Sequence, residues 1–415
     1  MRMRTTIGAA LALGLALTAV AHAKVNWPRW GGPDGSSHTA ETGLPLTWTA
    51  ADVTWKTPLK GFGQSMPCIW GDTIFLTSSL DSGKQRIVFA VDRRTGKTLW
   101  EDIAWTGEPE ESHVMNGHAS ASCATNGKVV VAFFGKGGLH AYSLDGKPLW
   151  SRDLGPFDGP WGTAASPIFY GDTVIQNCDS ESSDSFLLAV NAETGETVWK
   201  TPRQVIRGWS TPILIKTAER EELILNSHTG VRGYDPKTGA ELWWCQGFNG
   251  RGEPVPAYAH GLLYVLNGLA GDVYSVRPGG TGDVTGTNRI WHTPRRAGRD
   301  LPSPVVVGDY LLGCSMGGVL VCYDCQSGKE LWKQRIGPKF STTPLVAEGR
   351  AYFQSEEGQT IVIEPGPEMK IVGESKLDSA SDELFRAAIV PCQGQLFIRS
   401  NKSLYCIGQQ AAAAK

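Results

Sequence analysis

Short runs of alternating apolar and small residues, each stopped by a polar turn, recur along this chain, and one run is written out again and again. It reads AVDRRTGKTLW (Ala90 to Trp100), AYSLDGKPLW (Ala141 to Trp150), AVNAETGETVW (Ala189 to Trp199), GYDPKTGAELW (Gly233 to Trp243) and CYDCQSGKELW (Cys322 to Trp332). Each copy meets Asp or Asn, turns at a glycine (Gly96, Gly146, Gly195, Gly239, Gly328) and leaves through a bulky strand ending in Trp. An Asx side chain caps such a turn and glycine supplies positive φ, so the phrase predicts a β-hairpin. A looser copy with a swollen turn runs from Ser275 to Trp291, a degraded one from Val362 to Val372, and a clipped one, LYCIG, ends at Gly408. With Trp55 taken as the docking residue of a split unit, the slots fall at Trp55, Trp100, Trp150, Trp199, Trp243, Trp291, Trp332 and Val372. Their spacing of roughly 40 to 50 residues is the period of β-propeller blades and is too long for leucine-rich repeats. A Trp at a fixed place in each hairpin can bury ~150 to 250 Å² between neighbouring sheets, so the blades are expected to be held mainly by their junctions.

A second strand signal precedes each phrase: MPCIWGDTIFL from Met66, SPIFYGDTVIQ from Ser166, VPAYAHGLLYVL from Val255, SPVVVGDYLLG from Ser303 and TPLVAEGRAYF from Thr343. Proline opens a strand where its missing N–H does least harm, and Gly-Asp or a similar pair turns the chain into the next strand. This slot aligns Pro67, Cys123, Pro167, Pro212, Pro256, Pro304, Pro344 and Pro391. Two independent registers therefore both count to eight. One strand, near Val53 to Pro58, is left over to pair with the segment around Leu404 to Ile407 and close the ring. The reading is an all-β, eight-bladed β-propeller of four-stranded antiparallel blades, closed by N- and C-terminal strands.

The first residues carry Arg2 and Arg4, an apolar run from Ile7 to Val20, then Ala-His-Ala at 21 to 23, the pattern of a cleavable secretory signal. That run is too short to cross ~30 Å of hydrocarbon as a helix, and no later stretch approaches the ~20 apolar residues needed. The expectation is a signal peptide over 1–23, one propeller domain over 24–408 and a disordered tail over 409–415. The product would be an exported, soluble, monomeric protein of the periplasm or the extracellular space, without membrane insertion. No lipobox cysteine and no twin-arginine pair accompany the cleavage site. Without Arg2 and Arg4 the formal charge moves from −2 to about −4, which argues against a nucleic-acid partner. Of the nine cysteines, Cys322 and Cys406 occupy the slot held elsewhere by Ala90, Ala141, Ala189 and Gly233, and Cys123 sits in a proline slot. They read as small buried strand residues.

The phrase with its Asp, Thr-Gly-Lys and terminal Trp resembles the repeat of the PQQ-binding-like propellers, a superfamily that includes quinoprotein alcohol dehydrogenases and BamB-like assembly proteins. The likeness covers Trp27 to Gly408. The opening WPRWGGPDGSS (Trp27 to Ser37) and NGHASAS (Asn116 to Ser122) look closer still to secreted PQQ-like repeat proteins of unassigned function. The resemblance to the quinoproteins implies a quinone under a ring of adjacent cysteines, stacked on a Trp, with calcium held by carboxylates and an Asn. This sequence departs from that pattern: no two cysteines are adjacent, no calcium set maps onto its residues, and Cys325 is followed by Gln326, so CxxCH is missing. The BamB-like branch implies a scaffold that docks to a membrane-embedded partner through exposed loops. A non-redox binding or scaffolding propeller without cofactor is the preferred expectation, with a PQQ- and calcium-dependent dehydrogenase as the alternative.

One feature is not explained by the repeat. Five residues before each strand-opening slot stand Phe62, His118, Gly162, Arg207, Arg251, Arg299, Lys339 and Arg386, which puts a cation at one position in five consecutive units. Loops entering inner strands lie at one mouth of a propeller channel, so these side chains should converge there. Clustered cations hold carboxylate, sulfate or phosphate, with Arg suited to two-pronged contacts. The candidate site is an anion funnel of Arg207, Arg251, Arg299, Lys339 and Arg386, with Asn116, His118 and Trp209 adding polar or stacking contacts. It would serve an anionic saccharide, another small anion, or a protein partner at the loop face. Against this, Glu253, Asp300 and Glu383 stand close enough in sequence to pair the cations as plain ion pairs. The aromatics Trp161, Trp209, Phe340 and Phe385 could form a stacking floor or belong to the core. A third class, a polysaccharide lyase or hydrolase, would draw on Asp179, Glu181 and Asp184 with His118, although that acidic run lacks the Gly and terminal Glu of an EF-hand and reads better as a solvated loop. No GxSxG or HExxH string supports other hydrolytic chemistry.

Overall fold

In the computed structural model, which describes residues 26–181, 184–206, 208–248, 251–269, 272–295 and 298–408, each repeated phrase forms the outer hairpin of a four-stranded antiparallel sheet. Eight such sheets make a β-propeller. Blades 1 to 8 are numbered here by their inner strands: Cys68–Trp70, Ala124–Thr125, Ile168–Tyr170, Ile213–Lys216, Ala257–Ala259, Val305–Val307, Leu345–Ala347 and Val390–Cys392. The expected leader and tail lie outside the described residues. The ring closes as its sequence pattern implies: Val53–Pro58 is the outer strand of blade 8, antiparallel to Ser403–Ile407. In blades 1 to 7 the strand-opening slot stands just before the inner strand. Blade 8 slips by two, because Pro391 lies within Val390–Cys392, paired with Leu396. An inner edge strand tolerates that proline since its N–H has no ladder partner to lose.

The junctions follow one chemical rule. The indole N–H of the phrase Trp reaches across to a backbone carbonyl in the next blade's turn: Trp55 to Arg93, Trp100 to Leu144, Trp150 to Ala192, Trp199 to Pro236, Trp291 to Cys325 and Trp332 to Gly366, all at 2.8–3.2 Å. In the first five of these the ring then lies on the glycine of that turn, Gly96, Gly146, Gly195, Gly239 or Gly328. A Cβ on Gly195 would come within 2.7 Å of Trp150, and one on Gly239 within 2.4 Å of Trp199. These glycines are thus fixed twice, by φ near +73° and by the neighbouring indole. A threonine two residues past the Trp adds a second tie, Thr57 to the Gly96 carbonyl at 2.6 Å and Thr201 to that of Gly239 at 2.7 Å.

Two junctions break the rule, and each gains an added element. Trp243 is fully buried and donates to Glu222 within its own blade at 2.8 Å. The swollen turn packs over it, laying Gly282–Asp283 parallel to Glu241–Gln246 and burying Val284. At Val372, where no Trp stands, Leu44 and Trp48 of the N-terminal segment join the same core cluster, and the backbone N–H of Trp48 donates to the Ser375 hydroxyl at 2.7 Å. The seam between blades 8 and 1 carries two buried arginines. Arg93 binds Gln395, Gln393 and Asp72 at 2.8–2.9 Å. Arg399 donates to the carbonyls of Ser65 and Thr77 and to both serine hydroxyls of Ser65 and Ser78. All nine cysteines are buried as free thiols, and burial pushes those of Cys123, Cys322 and Cys325 up to about 12.

Comparing two glycines isolates the docking contact. Gly171 and Gly195 both have positive φ, but a Cβ on Gly171 meets nothing within 4 Å. Gly171→Ala is expected to cost about 1 kcal/mol for its backbone alone. Gly195→Ala should cost roughly 1 to 3 kcal/mol more, because Trp150 must move. Equal losses in urea unfolding would show that the indole contact does not hold the junction.

Candidate functional site

The eight loops entering the inner strands begin at one mouth of the ring, and hydroxyl groups set into those loops fix their starts. The N–H of Met66 donates to Ser122, that of Ser122 to Ser166 and that of Ser166 to Thr211, at 2.9–3.0 Å. The belt breaks at Val255, which has no hydroxyl, and resumes as Val255 to Ser303 at 2.9 Å and Ser303 to Thr343 at 3.3 Å. At five of the eight junctions the start of one inner strand is thereby tied to the next blade's. The Ser-Pro and Thr-Pro pairs that open the strands are the sequence signature of this belt.

Inside the belt lies a cavity of about 220 Å³, walled by loop residues from all eight blades. Its floor comes from elsewhere. The segment WPRWGGPDGSS crosses the channel: Trp27 bridges to Ile69 of blade 1, the carbonyl of Pro28 accepts from Thr125 of blade 2, Gly35 sits against Ile213 of blade 4, and His38–Thr39 pairs with Val346 and Ala347 of blade 7. Gly31 and Gly32 permit this path, since a Cβ on Gly31 would meet the Gly35 backbone and one on Gly32 the Trp27 indole. Trp30 is thereby set into the cavity lining.

The structure brings Arg251, Arg299, Arg386, Asn116 and Trp209 together in the cavity wall. Arg251 lies over the Trp161 ring at 4.8 Å, and His113 packs on that ring with centroids 5.1 Å apart. Neither Arg251 nor Arg299 makes a side-chain hydrogen bond or a close ion pair with any described residue, and Arg299 Nε is buried without a partner. Arg386 is half engaged, bound to Glu356 at 3.1 Å and to the carbonyls of Val114 and Met115 at 3.4 and 3.3 Å. Asn116 is spent on the protein itself. Its amide donates to the carbonyls of Trp161 and Thr163 at 2.8 and 3.2 Å, pinning the loop that carries Trp161. The Trp209 N–H likewise holds the Gly162 carbonyl at 2.8 Å, leaving its ring for the wall.

Other expected members stand apart. Lys339 is outside the lining and pairs with Glu356 at 3.0 Å. His118 packs behind the wall beside Gly83, 4.0 Å from Glu110, in a cluster whose buried ion pair is Arg86 with Glu110 at 2.7 Å. Arg207 lies outside the described residues. Phe340 and Phe385 are core. The ion pairs inferred from sequence proximity also form differently. Asp300 is bound by Arg295 at 3.0 Å, and Glu383 by Tyr405 at 2.8 Å, so neither neutralises the funnel. Asp179 is not in a solvated loop but in a buried pair with Arg203 at 2.7 Å. No group of three His, Cys, Asp or Glu side chains comes together as a metal set among the described residues.

Sequence reasoning passed over Trp30 and the recognition potential of Glu253. Glu253 belongs to the cavity lining, and both its carboxylate oxygens are buried from solvent on the Gly268 side without a hydrogen-bond partner. Gly268 makes room for it, since a Cβ there would come within 2.1 Å of Oε2. Burial pushes its acid up to about 7 against the opposing pull of Arg251 and Arg299.

Residues 46–159, 84–246 and 269–366 match the family described as outer membrane protein assembly factor BamB. The tetrathionate hydrolase of Acidithiobacillus ferrooxidans is 24% identical over 294 residues, covering 64% of this chain and 53% of that protein. Subunit 1 of the cytochrome c methanol dehydrogenase of Methylobacterium organophilum is 31% identical over 162 residues, 34% of this chain and 25% of that one. The chain thus spans about half or less of the length of these curated relatives. The crystal structure of BamB from Moraxella catarrhalis superposes with a TM-score of 0.63 at 15% identity, covering 88% of this chain and 98% of that chain. At that identity the likeness concerns the fold alone.

The state of Glu253 has a measurable consequence. Its folded value, about 7, lies above the ordinary 4.5, so the unfolded chain releases this proton first. Glu253 therefore subtracts from stability as pH rises from 4.5 to 7, and the loss is complete above 7. Glu253→Gln is expected to match the wild type near pH 4 and to exceed it at pH 8 by roughly 2 to 3 kcal/mol. Urea unfolding at the two pH values checks this, and a constant difference would place the carboxylate in contact with solvent.

Proposed function

The chain belongs to the PQQ-like repeat family described as outer membrane protein assembly factor BamB, and from that premise we propose that it is an exported binding propeller whose funnel holds an anionic group without redox chemistry. The observation that carries the reading is the pair of guanidinium groups, Arg251 and Arg299, set in a cavity wall with no hydrogen-bond acceptor of their own among the described residues. Arg299 Nε is a buried donor without a partner, and an oxyanion between two guanidiniums accepts charge-assisted bonds. Trp30, Trp161 and Trp209 give the same cavity flat apolar walls, which suits an anion carried on a ring or a hydrocarbon frame. The carboxylate, sulfate or phosphate comes from a small ligand or from an acidic segment of a protein.

For the protein source there is a separate observation. Val114, Ile206 and Leu269, on three of the mouth loops, are apolar and 82%, 38% and 42% exposed. Apolar side chains around a cationic pocket match an acidic, apolar peptide, and the family's assembly role makes a protein partner the natural second reading. The PQQ and calcium implied by the quinoprotein branch fit unequally. The arginines and indoles suit an anionic ring system, but Glu253, the one carboxylate in the cavity wall among the described residues, stands near Arg251 and Arg299, a poor donor set for a divalent cation. Export rests on the leader pattern at 1–23. No helix among the described residues is long and apolar enough to cross a membrane.

The stability of the wild type should rise with the logarithm of sulfate or citrate concentration above the dissociation constant, by about 2.7 kcal/mol at a hundred times that constant. Arg251→Ala with Arg299→Ala should weaken that response at least tenfold, while Lys339→Ala leaves it intact. Stabilisation by PQQ only in the presence of calcium would instead point to a dehydrogenase and overturn the metal-free reading.

A further inference from the structure

Of the ten large apolar side chains exposed among the described residues, seven lie on outer strands at the circumference, as Leu99 and Ile103 do. The other three, Val114, Ile206 and Leu269, all stand on the mouth loops, and the opposite mouth has none. Each of the three is set beside a different cavity arginine. The Val114 carbonyl accepts from Arg386 at 3.4 Å, and Leu269 forms an antiparallel bridge with Arg299. Ile206 stands two residues from Gly208, which bridges to Gly252, the chain neighbour of Arg251. The rim thus carries an apolar side chain next to each cationic one.

The guanidiniums are open to whatever enters. Arg251 lies over the Trp161 ring at 4.8 Å, and a guanidinium stacked by its face keeps its N–H edge free. Its nitrogens and the terminal nitrogens of Arg299 are neither buried nor bonded to a described residue. The way in has one end, because Trp30 and its segment close the channel below, and the cavity of about 220 Å³ is narrow. A loop that dips in and returns needs two strands side by side, ~4.8 Å apart at their backbones and wider with side chains. A chain end needs the width of one strand and carries a carboxylate at its tip.

We propose, resting on the anion-binding reading above, that the mouth is a docking surface for the C-terminal end of a partner polypeptide. The terminal carboxylate accepts charge-assisted hydrogen bonds from Arg251 and Arg299, the last side chain lies against the indoles of the cavity wall, and the apolar residues before it cover Val114, Ile206 and Leu269. Each part selects something different. The guanidiniums select the charge, the closed floor selects an end over an internal acidic residue, and the rim selects an apolar tail over a free carboxylate ion.

Fluorescence anisotropy with an N-terminally labelled hexapeptide of alternating serine and leucine, ending in leucine with a free carboxylate, tests this. Saturable binding is expected, displaced by sulfate. The C-terminal amide of the same peptide should bind at least about tenfold more weakly, and an amidated peptide with an internal aspartate should be equally weak. Arg251→Ala should remove the advantage of the free acid over the amide. Val114→Ser with Leu269→Ser, at two exposed positions, should weaken the peptide roughly tenfold and leave the stabilisation by sulfate unchanged, a split that misfolding does not produce. Equal binding of acid and amide, or an internal aspartate as good as the free end, would overturn the chain-end assignment. Stabilisation by sulfate with no peptide binding would overturn the docking surface and leave the small-anion site standing. A response to neither would overturn the anion reading, and this inference with it. The comparison of acid with amide on the wild type decides the matter even if Arg251→Ala does not fold.

Discussion

The docking of a phrase tryptophan onto the turn of the next blade, on its glycine at five junctions, is the contact on which the remaining architecture depends. A four-stranded blade alone leaves its faces bare, and the indole supplies both apolar area and a directed N–H to one carbonyl. That pairing fixes the position and the angle of one blade against the next, and repeating it generates the ring. Where the rule lapses, the chain compensates locally. Trp243 turns inward to Glu222 and is roofed by an insertion, and Val372 is covered by Leu44 and Trp48. The irregular repeats thus coincide with the places where extra chain is needed.

A ring of eight blades leaves space along its axis, and filling that space produces the cavity. The inner strands pack side by side through the serine and threonine belt, but their facing side chains do not meet in the centre. The N-terminal segment crosses the gap and supplies Trp30 as a floor, so what would be an open channel becomes a funnel accessible from the loop mouth. Closure of the ring demands accuracy at the last seam, where buried guanidinium groups stand in for part of the apolar packing. Arg399 has only carbonyls and hydroxyls around it, and burial brings it down to about 9. A buried cation held at its two terminal nitrogens by neutral acceptors, with Nε left unbonded, is costly, and a seam displaced by one strand would strip it of those acceptors as well.

The fold was legible because its signals are local and repeated. The hairpin chemistry of Asp, Gly and Trp lies within eleven residues, and Pro at the strand start is a second, independent mark. The site was only partly legible. Counting a fixed distance back from the strand start found Arg251, Arg299 and Arg386, because in those blades the loops enter the mouth at similar depth. The same count failed for His118, which its longer loop folds back onto Glu110, and for Lys339, drawn to Glu356. Asp179 looked solvated because its partner, Arg203, stands a whole hairpin away. Trp30 carried a signal of likeness but none of position, since its role depends on the path of a segment through the centre of the ring. Glu253 was taken for an ion-pair partner on proximity in sequence, and only the burial of both oxygens reveals it as an unbonded group.

Three close ion pairs elsewhere in the protein set the cavity in contrast, although Arg29 and Arg399 are also buried with an unpartnered nitrogen. Arg86 with Glu110, Arg203 with Asp179 and Arg295 with Asp300 are close, hydrogen-bonded pairs, the condition under which burial of charge is tolerated. In the funnel the same residue types are near one another yet unbonded: Arg299 Nε without an acceptor and Glu253 without a donor. Rotating these three into a closed ion pair would relieve the penalty, and the stacking of Arg251 on Trp161 together with the cradle of Gly268 holds the groups short of it. Local departures from the rules that the rest of a structure obeys mark the places where a protein meets something other than itself. Here the departure has a sign and a geometry: two fixed cations, flat aromatic walls, and one acid poised near neutrality at the cavity wall.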